Sequence, residues 1–424
     1  MKRWFYGVGI VLMGTNIFMS SSCLANEIKK GDVQKVAVQG VNISDYVVSV
    51  DKIKVDPSIK IVGLGEATHG NAELQKLKEN VFKALVNNNG CKIFAIEGDF
   101  GGAQKVNEYI NGATGTAYQA VEAIGFKIYD TEEMVHLVQW MREYNAQVEE
   151  GQKLKFYGFD MQRYTYNKTY ALEYLKKVDE KLATTYENLL IGLSDDKKLS
   201  YEETKKALET IETLLSVVNQ NKEQYIKKTN QKDFDFAYQC IGCLREKAHL
   251  ELSGMNYNEL RDSYMAEKVK WIYNYENQQM IFINGHNGHI SKTSDGLSYH
   301  NMGSHLSEIY NSEYYSIGTD MMTTQFNATN NDKMEVFKIT NSNGLVNAFS
   351  SLKENECFMD LKIANKNKDI ATLLNTKQPM LSIGSSFGML HKMNKAFYTS
   401  TVKPVEAYDG IILLKECTPT TYWE

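Results

Sequence analysis

Only four prolines occur in 424 residues, at positions 57, 379, 404 and 419, so residues 58 to 378 contain none. Nothing in that long stretch forbids uninterrupted helices, and no Pro-rich linker divides it. Cysteine is equally scarce, with six in the whole chain, too few for a disulfide framework at this length. One pair, Cys240 and Cys243, has C-x-x-C spacing. It lies inside a helical pattern without the strand context of a redox motif or two further zinc ligands, and reads as two small core residues one turn apart. Basic excess is missing too. A net charge of −5 and a pI near 6.0 give no electrostatic footprint for nucleic acid or anionic lipid. Lys and Glu are dispersed as on a solvated surface. A small-molecule or uncharged-polymer substrate is therefore the default.

The first residues stand apart. Lys2 and Arg3 precede an apolar stretch from Trp4 to Met19, followed by Ser20, Ser21 and Ser22 and then Cys23-Leu24-Ala25. This is the layout of a secretory signal peptide cleaved after Ala25, with lipid attachment at Cys23 as a rival. The stretch is interrupted by Asn16 and is shorter than the roughly 20 residues that span a bilayer. No other run approaches that length, so no stable membrane span is expected, and the mature protein is expected to be secreted or held at the cell surface.

Strand and helix signals alternate through the first third. Lys60–Gly65, Lys92–Ile96 and Leu154–Phe159 are short buried-strand runs. Helical spacing follows at 73–88, ended by Asn89-Gly90, then at about 103–110 and at 131–145. From about 168 to 275 almost no strand-like run occurs. Leu172, Leu175, Leu182, Tyr186 and Leu189 fall on one helical face. Ser200 with Glu203 makes a capping box for a second helix, and a third runs from about 234 to 251. Strand signals return at 279–284, 314–318 and 410–414. The expected class is α/β: a mostly parallel central sheet covered by helices, with a helical insertion or cap. The expected divisions are 1–25 as signal, 26–165 and 276–424 as two halves of the α/β core, and 166–275 as the helical insertion.

Four of the apolar runs hand over to acids or histidines at their carboxyl ends. These are Gly65-Glu66-Ala67-Thr68-His69-Gly70, Ile96-Glu97-Gly98-Asp99, Gly158-Phe159-Asp160 and Asn284-Gly285-His286-Asn287-Gly288-His289. In open α/β sheets that edge is where ligands bind. Glycines flank the polar residues and permit close approach of backbone to a substrate. A lone Glu after a strand is usually a cap, and a lone His usually structural; His136, His249, His300, His305 and His391 are assigned that way. The clustered Glu66, His69, Glu97, His286 and His289 are the candidate site, with Asp160 either catalytic or pinning a neighbour. Gly384-Ser385-Ser386-Phe387-Gly388 has the letters of a nucleophile elbow after a strand-like run, but the acid and His that should follow in a triad are absent at suitable distance.

These residues carry a family resemblance. The Gly65–Gly70 segment resembles the signature opening of the erythromycin esterase family. The likeness continues through Glu97-Gly98-Asp99 with Asn107 and Tyr109, Trp140-Met141-Arg142-Glu143-Tyr144-Asn145, Tyr157–Asp160, Arg261-Asp262-Ser263-Tyr264-Met265-Ala266-Glu267 and His286–His289 to Tyr408-Asp409-Gly410 and Thr418-Pro419. It runs in order from about residue 45 to the end. The resemblance implies an α/β core with a helical part and hydrolysis of a lactone ester without a tightly bound metal or other cofactor. It implies His69 as general base, with Glu66 and Glu97 orienting or charging it. His286 and His289 are implied to contact the substrate or stabilise the oxyanion, with Arg261 a helper.

Lys268 stands where the family often has Asn, and the export signal is unlike the setting of an antibiotic-inactivating esterase. An exported member is expected to act on a small-molecule or glycan ester at the cell surface; some relatives carry labels tied to succinoglycan synthesis. Two other readings suit the same side chains. A metal hydrolase could use two His, two Glu and Asp160 as zinc or manganese ligands. An exported haem- or metal-binding module is the non-enzymatic alternative.

Overall fold

The computed structural model describes residues 41–295 and 297–423. The expected signal segment therefore lies outside the described residues. Ten strands are present among them: β1 (Ile61–Glu66), β2 (Ile93–Asp99), β3 (Lys155–Asp160), β4 (Ile281–His286), β5 (Tyr314–Asn330), β6 (Lys333–Thr340), β7 (Glu356–Asp360), β8 (Gln378–Leu381), β9 (Thr399–Val402) and β10 (Gly410–Cys417). The main sheet has the order β3-β2-β4-β1-β5-β10-β7, with β6 paired to the far end of β5. The first six strands of that order are parallel; β7 and β6 pair antiparallel. This is the mostly parallel α/β sheet expected.

Its central strands β1, β2 and β4 are buried along nearly their whole length because helices cover both faces, as parallel sheets require. Side chains alternate between the two layers. Val62, Leu64, Phe94, Ile96 and Phe282 pack toward the helices Ala72–Asn89 and Glu132–Asn145. Ile61, Ile93, Ala95, Ile281 and Ile283 pack into a second core with the helices between β3 and β4. Those helices run Thr165–Val178, Glu180–Leu189, Tyr201–Gln220, Lys222–Lys228, Gln231–Leu252 and Tyr257–Tyr275. They form one covering layer of the sheet itself.

Two local readings differ from the structure. The apolar stripe from Leu172 to Leu189 belongs to two helices, because Asp179 leaves helical geometry (φ −156°, ψ 81°). Its carboxylate caps the second helix through Leu182 N–H at 3.0 Å and also accepts from Tyr225. Strand β5 continues twelve residues beyond Gly318 to Asn330. It turns into β6 at Asn331-Asp332, both with positive φ (47° and 60°), the two-residue hairpin geometry that Asn and Asp tolerate. Gly384–Gly388 forms no elbow. Ser386 is exposed and pairs with Thr329, and His391 contacts Phe387 and the Gly388 N–H.

Candidate active site

Adjacent parallel strands bring the carboxyl ends of β1 and β4 together, with Glu66 opposite His286 in register. Gly65 is needed there, since a Cβ would stand 2.2 Å from the Asn287 side chain. Beyond Glu66 the chain is held from several sides. Ala67 N–H donates to Thr319 Oγ1 at 3.0 Å, and the Ala67 carbonyl accepts from Ile383 N–H at 2.7 Å. Gln75, on the following helix, donates to the His69 carbonyl at 2.8 Å. His69 Nδ1 then lies 2.7 Å from Glu66 Oε1, and both side chains are buried (8% and 1% exposed). Lys78, with no exposed surface, sits 3.4 Å from Glu66 Oε2 and donates to Gln75 Oε1 at 2.7 Å. Burial would raise the Glu66 pKa, but the Lys78 charge and the His69 hydrogen bond outweigh it and hold the carboxylate below its usual range. Burial lowers the Lys78 ammonium, opposed by Glu66.

Glu97 is the hub of the second half. Its Oε1 accepts from Arg261 Nη2 at 2.7 Å and lies 3.3 Å from His289 Nε2; its Oε2 accepts from His286 N–H at 2.9 Å. Arg261 also grips Asp160, with Nη2 at 2.6 Å and Nε at 3.2 Å from Oδ2. Asp160 therefore pins Arg261. His289 Nδ1 lies 2.7 Å from Asp262 Oδ1. Burial penalises charge on both Glu97 and His289. Yet the neighbouring His289 and Arg261 cations hold Glu97 well below the carboxylate range, and Asp262 with Glu97 lifts His289 to about 10. Arg261 Nη1 also approaches His289 Nε2 to 3.2 Å. With both groups cationic this is not a donor–acceptor pair but two donors sharing Glu97 Oε1. Asp99, two residues on, has no such ion pair among the described residues; burial pushes it up to about 8 despite the Gly102 N–H it accepts and the Arg163 charge.

His286 differs from its neighbours. Its Nδ1 accepts from Gly288 N–H at 3.2 Å, which leaves the proton on Nε2, 3.1 Å from the Ile383 carbonyl. Burial, then the charges of His69 and His289, push its pKa down to about 4, so the ring is neutral around pH 7. It packs 5.5 Å from the His69 ring, centroid to centroid.

A pH dependence follows from His289. Its folded pKa is raised above the unfolded value of about 6.5, so its contribution is complete below that value and is lost as pH rises through about 10. The stability gap between the wild type and His289→Asn is expected to be widest near pH 6 and to shrink progressively toward pH 10. Thermal melts of both proteins across that range check it, and a constant gap refutes the ion-pair assignment.

All seven candidate residues thus meet at one edge of the sheet. Lys78, Gln75 and Asp262 join them without having been singled out. Gln75 and Lys78 share a helical stripe with Phe82 and Leu85, and polar residues on a core stripe were the available signal. Asp262 adjoined Arg261 in the quoted motif. Other motif residues serve architecture: Asn107 accepts from Phe156 N–H, and Asn145 ties Ile110 to Leu154. Lys268 is buried against Glu246 and Cys243 at 2.8 and 3.2 Å, and Cys240 is buried as well. Among the described residues, no group of three or more His, Cys, Asp and Glu side chains is arranged to hold a metal ion.

The chain is similar to known proteins over most of its length. Positions 86–417 match the family model described as erythromycin esterase. The chain is 24% identical over 407 residues to the hydrolase-named protein YbfO of Bacillus subtilis (strain 168), covering 87% of this chain and 86% of that one. It is 25% identical over 298 residues to the erythromycin esterase type II of Escherichia coli, covering 62% and 70%. A solved Bacillus cereus protein superposes with a TM-score of 0.76 at 26% identity, covering 87% of this chain and 91% of that one.

Proposed function

This chain belongs to the erythromycin esterase family, and from that premise we propose that it is a metal-independent hydrolase of an ester or lactone whose attacking water is activated by His69. The observation that carries the reading is the buried 2.7 Å contact between Glu66 Oε1 and His69 Nδ1. It sets Nδ1–H as donor to the carboxylate and leaves the Nε2 lone pair as the base. Nε2 takes a proton from water as the oxygen bonds to the acyl carbon and the carbonyl electron pair moves onto oxygen. Collapse of that intermediate breaks the ester C–O bond, and the same proton passes to the departing alkoxide.

Charge balance supports this direction of proton flow. Among the described residues, Glu66, Glu97, Asp160 and Asp262 pair with three cations, Lys78, Arg261 and His289. A proton on His69 neutralises the remaining negative charge. Glu97 supports His69 through this field, and Arg261 and His289, fixed on their carboxylates, favour negative charge on the substrate oxygen. His286 Nε2–H becomes a donor to that oxygen by exchanging the Ile383 carbonyl for it. The substrate in this reading is a small-molecule or glycan ester met outside the cytoplasm. Among the described residues no helix is long and apolar enough to cross a membrane.

A panel of ester, lactone and acylated-glycan substrates tests the reading. Turnover is expected to be undiminished after exhaustive EDTA treatment. Loss on chelation, restored by zinc or manganese, would replace it with a metal-assisted hydrolysis.

A further inference from the structure

Arg261 is aimed by more than its two carboxylates. Tyr257 and Arg261 lie four residues apart on the helix Tyr257–Tyr275, and so on one face of it. The Tyr257 hydroxyl donates to Gln162 Oε1 at 2.6 Å, and Gln162 Nε2 donates to Asp160 Oδ2 at 2.7 Å. The same Oδ2 accepts from Arg261 Nη2 at 2.6 Å and from Nε at 3.2 Å. Tyr257, Gln162, Asp160 and Arg261 thus close a ring between the end of β3 and the first turns of that helix. The ring runs in one sense only. The Asp160 carboxylate accepts, so the Gln162 amide turns its NH2 inward and its carbonyl toward the phenol, which must donate. Burial, opposed by the Arg261 charge, pushes the phenol up to about 12, so it keeps that proton at neutral pH.

Arg261 Nη2 carries the consequence to the site. Besides Asp160 Oδ2 it bonds Glu97 Oε1 at 2.7 Å, the oxygen that lies 3.3 Å from His289 Nε2. Any turn of the Asp160 carboxylate therefore shifts the guanidinium between its two acceptors. Asp160 Oδ1 is tied to its own chain neighbour, the Met161 N–H at 2.7 Å, which leaves Gln162 as the contact that steadies Oδ2 against Arg261. Asp160 and Arg261 are buried, whereas Gln162 and Tyr257 are half-buried. Water can take over the phenol's bond at little cost to the fold, but it leaves the amide free to turn.

We propose that Tyr257 and Gln162 are positioning residues, which act through Asp160 to hold the Arg261 guanidinium in the orientation that favours negative charge on the substrate oxygen. This rests on the ester-hydrolase reading. Neither residue is assigned a contact with the ester. Their effect falls on the step in which that charge develops, and so on kcat rather than KM.

The test compares wild type, Tyr257→Phe, Gln162→Met, the double variant, Tyr264→Phe and His69→Ala on p-nitrophenyl acetate, p-nitrophenyl butyrate and γ-butyrolactone, with Tm measured for each protein. Tyr264→Phe is the control. It removes one hydroxyl from the same helix, whose 2.7 Å bond goes to His249 and not into the ring. Tyr257→Phe is expected to lower kcat about 10-fold with KM changed less than about twofold, the mark of a misaligned group rather than a lost substrate contact. Tyr264→Phe should lower Tm about as far and keep wild-type kcat. The double variant should be no slower than Gln162→Met, because both changes act through the one contact to Asp160. Wild-type kcat in Tyr257→Phe overturns the proposal. So does an equal fall of kcat in Tyr264→Phe, which would make the loss a general result of loosening the helix. A double variant whose loss is the product of the two single losses overturns the shared path. An active His69→Ala overturns the underlying reading instead, whatever Tyr257→Phe does. Absence of turnover by the wild type across the panel counts against both.

Discussion

His69→Ala is expected to lower kcat/KM by about 10²–10⁴-fold on any ester or lactone the wild type turns over, the range typical of a lost general base. The substitution removes the only ring bonded to Glu66 Oε1, and no neighbour can inherit the role. His286 is too weak a base, at a pKa of about 4, and its Nδ1 already accepts from Gly288. His289 is cationic, its two nitrogens facing Asp262 and Glu97. The fold should survive, because Lys78 still compensates Glu66 from 3.4 Å. Circular dichroism and a thermal melt recorded beside the kinetics separate lost chemistry from lost structure. Wild-type kcat/KM in a folded His69→Ala protein would remove His69 from the reaction.

The residues that meet at the site were legible in proportion to how their position is encoded. Glu66, Glu97, Asp160 and His286 each end an apolar run of five or six residues, and such runs can only be buried strands or short helices. Parallel order then brings the ends of the runs to one edge. Asp262 and Lys78 sit on helices, where a polar residue on a partly apolar face looks the same whether it meets solvent or a buried ion. Only the tertiary fold distinguishes them. The end of β5 was hidden for a related reason. Asp320, Thr323, Thr324 and Gln325 break its apolar pattern, yet Asp320 is fully buried, held by Asn341 and Asn343 at 2.9 and 2.5 Å. Buried polar networks defeat pattern reading because their partners lie far away in sequence. The segment Thr418–Tyr422 shows the limit. Nothing around it has periodicity, and its place follows from bonds to residues some 290 to 350 positions earlier.

Arg261→Ala is expected to cost about 3–5 kcal/mol of stability, the usual consequence of removing one partner from a buried ion cluster. Arg261 is 5% exposed, and the carboxylates it holds, Asp160 and Glu97, are 0% and 7% exposed. Without the guanidinium both must be desolvated with too little compensation. Asp160 keeps only the Met161 N–H and the Gln162 amide, each at 2.7 Å, and Glu97 keeps His289 and the His286 N–H. Arg261→Lys should recover only part of the loss, because one ammonium cannot reproduce contacts to two carboxylates that leave from two nitrogens of a planar fork at once. The half-exposed pair Lys176–Glu187, 3.3 Å apart, is the control: Lys176→Ala should fall within about 1 kcal/mol of wild type. Urea denaturation of the three variants measures the contrast. The loss should also shrink in Arg261→Ala combined with Asp160→Asn, since the second change removes a charge that the first leaves unpaired. If the double variant instead loses the sum of the two single losses, Asp160 and Arg261 act independently, and the cluster is not the single ionic unit that its distances describe.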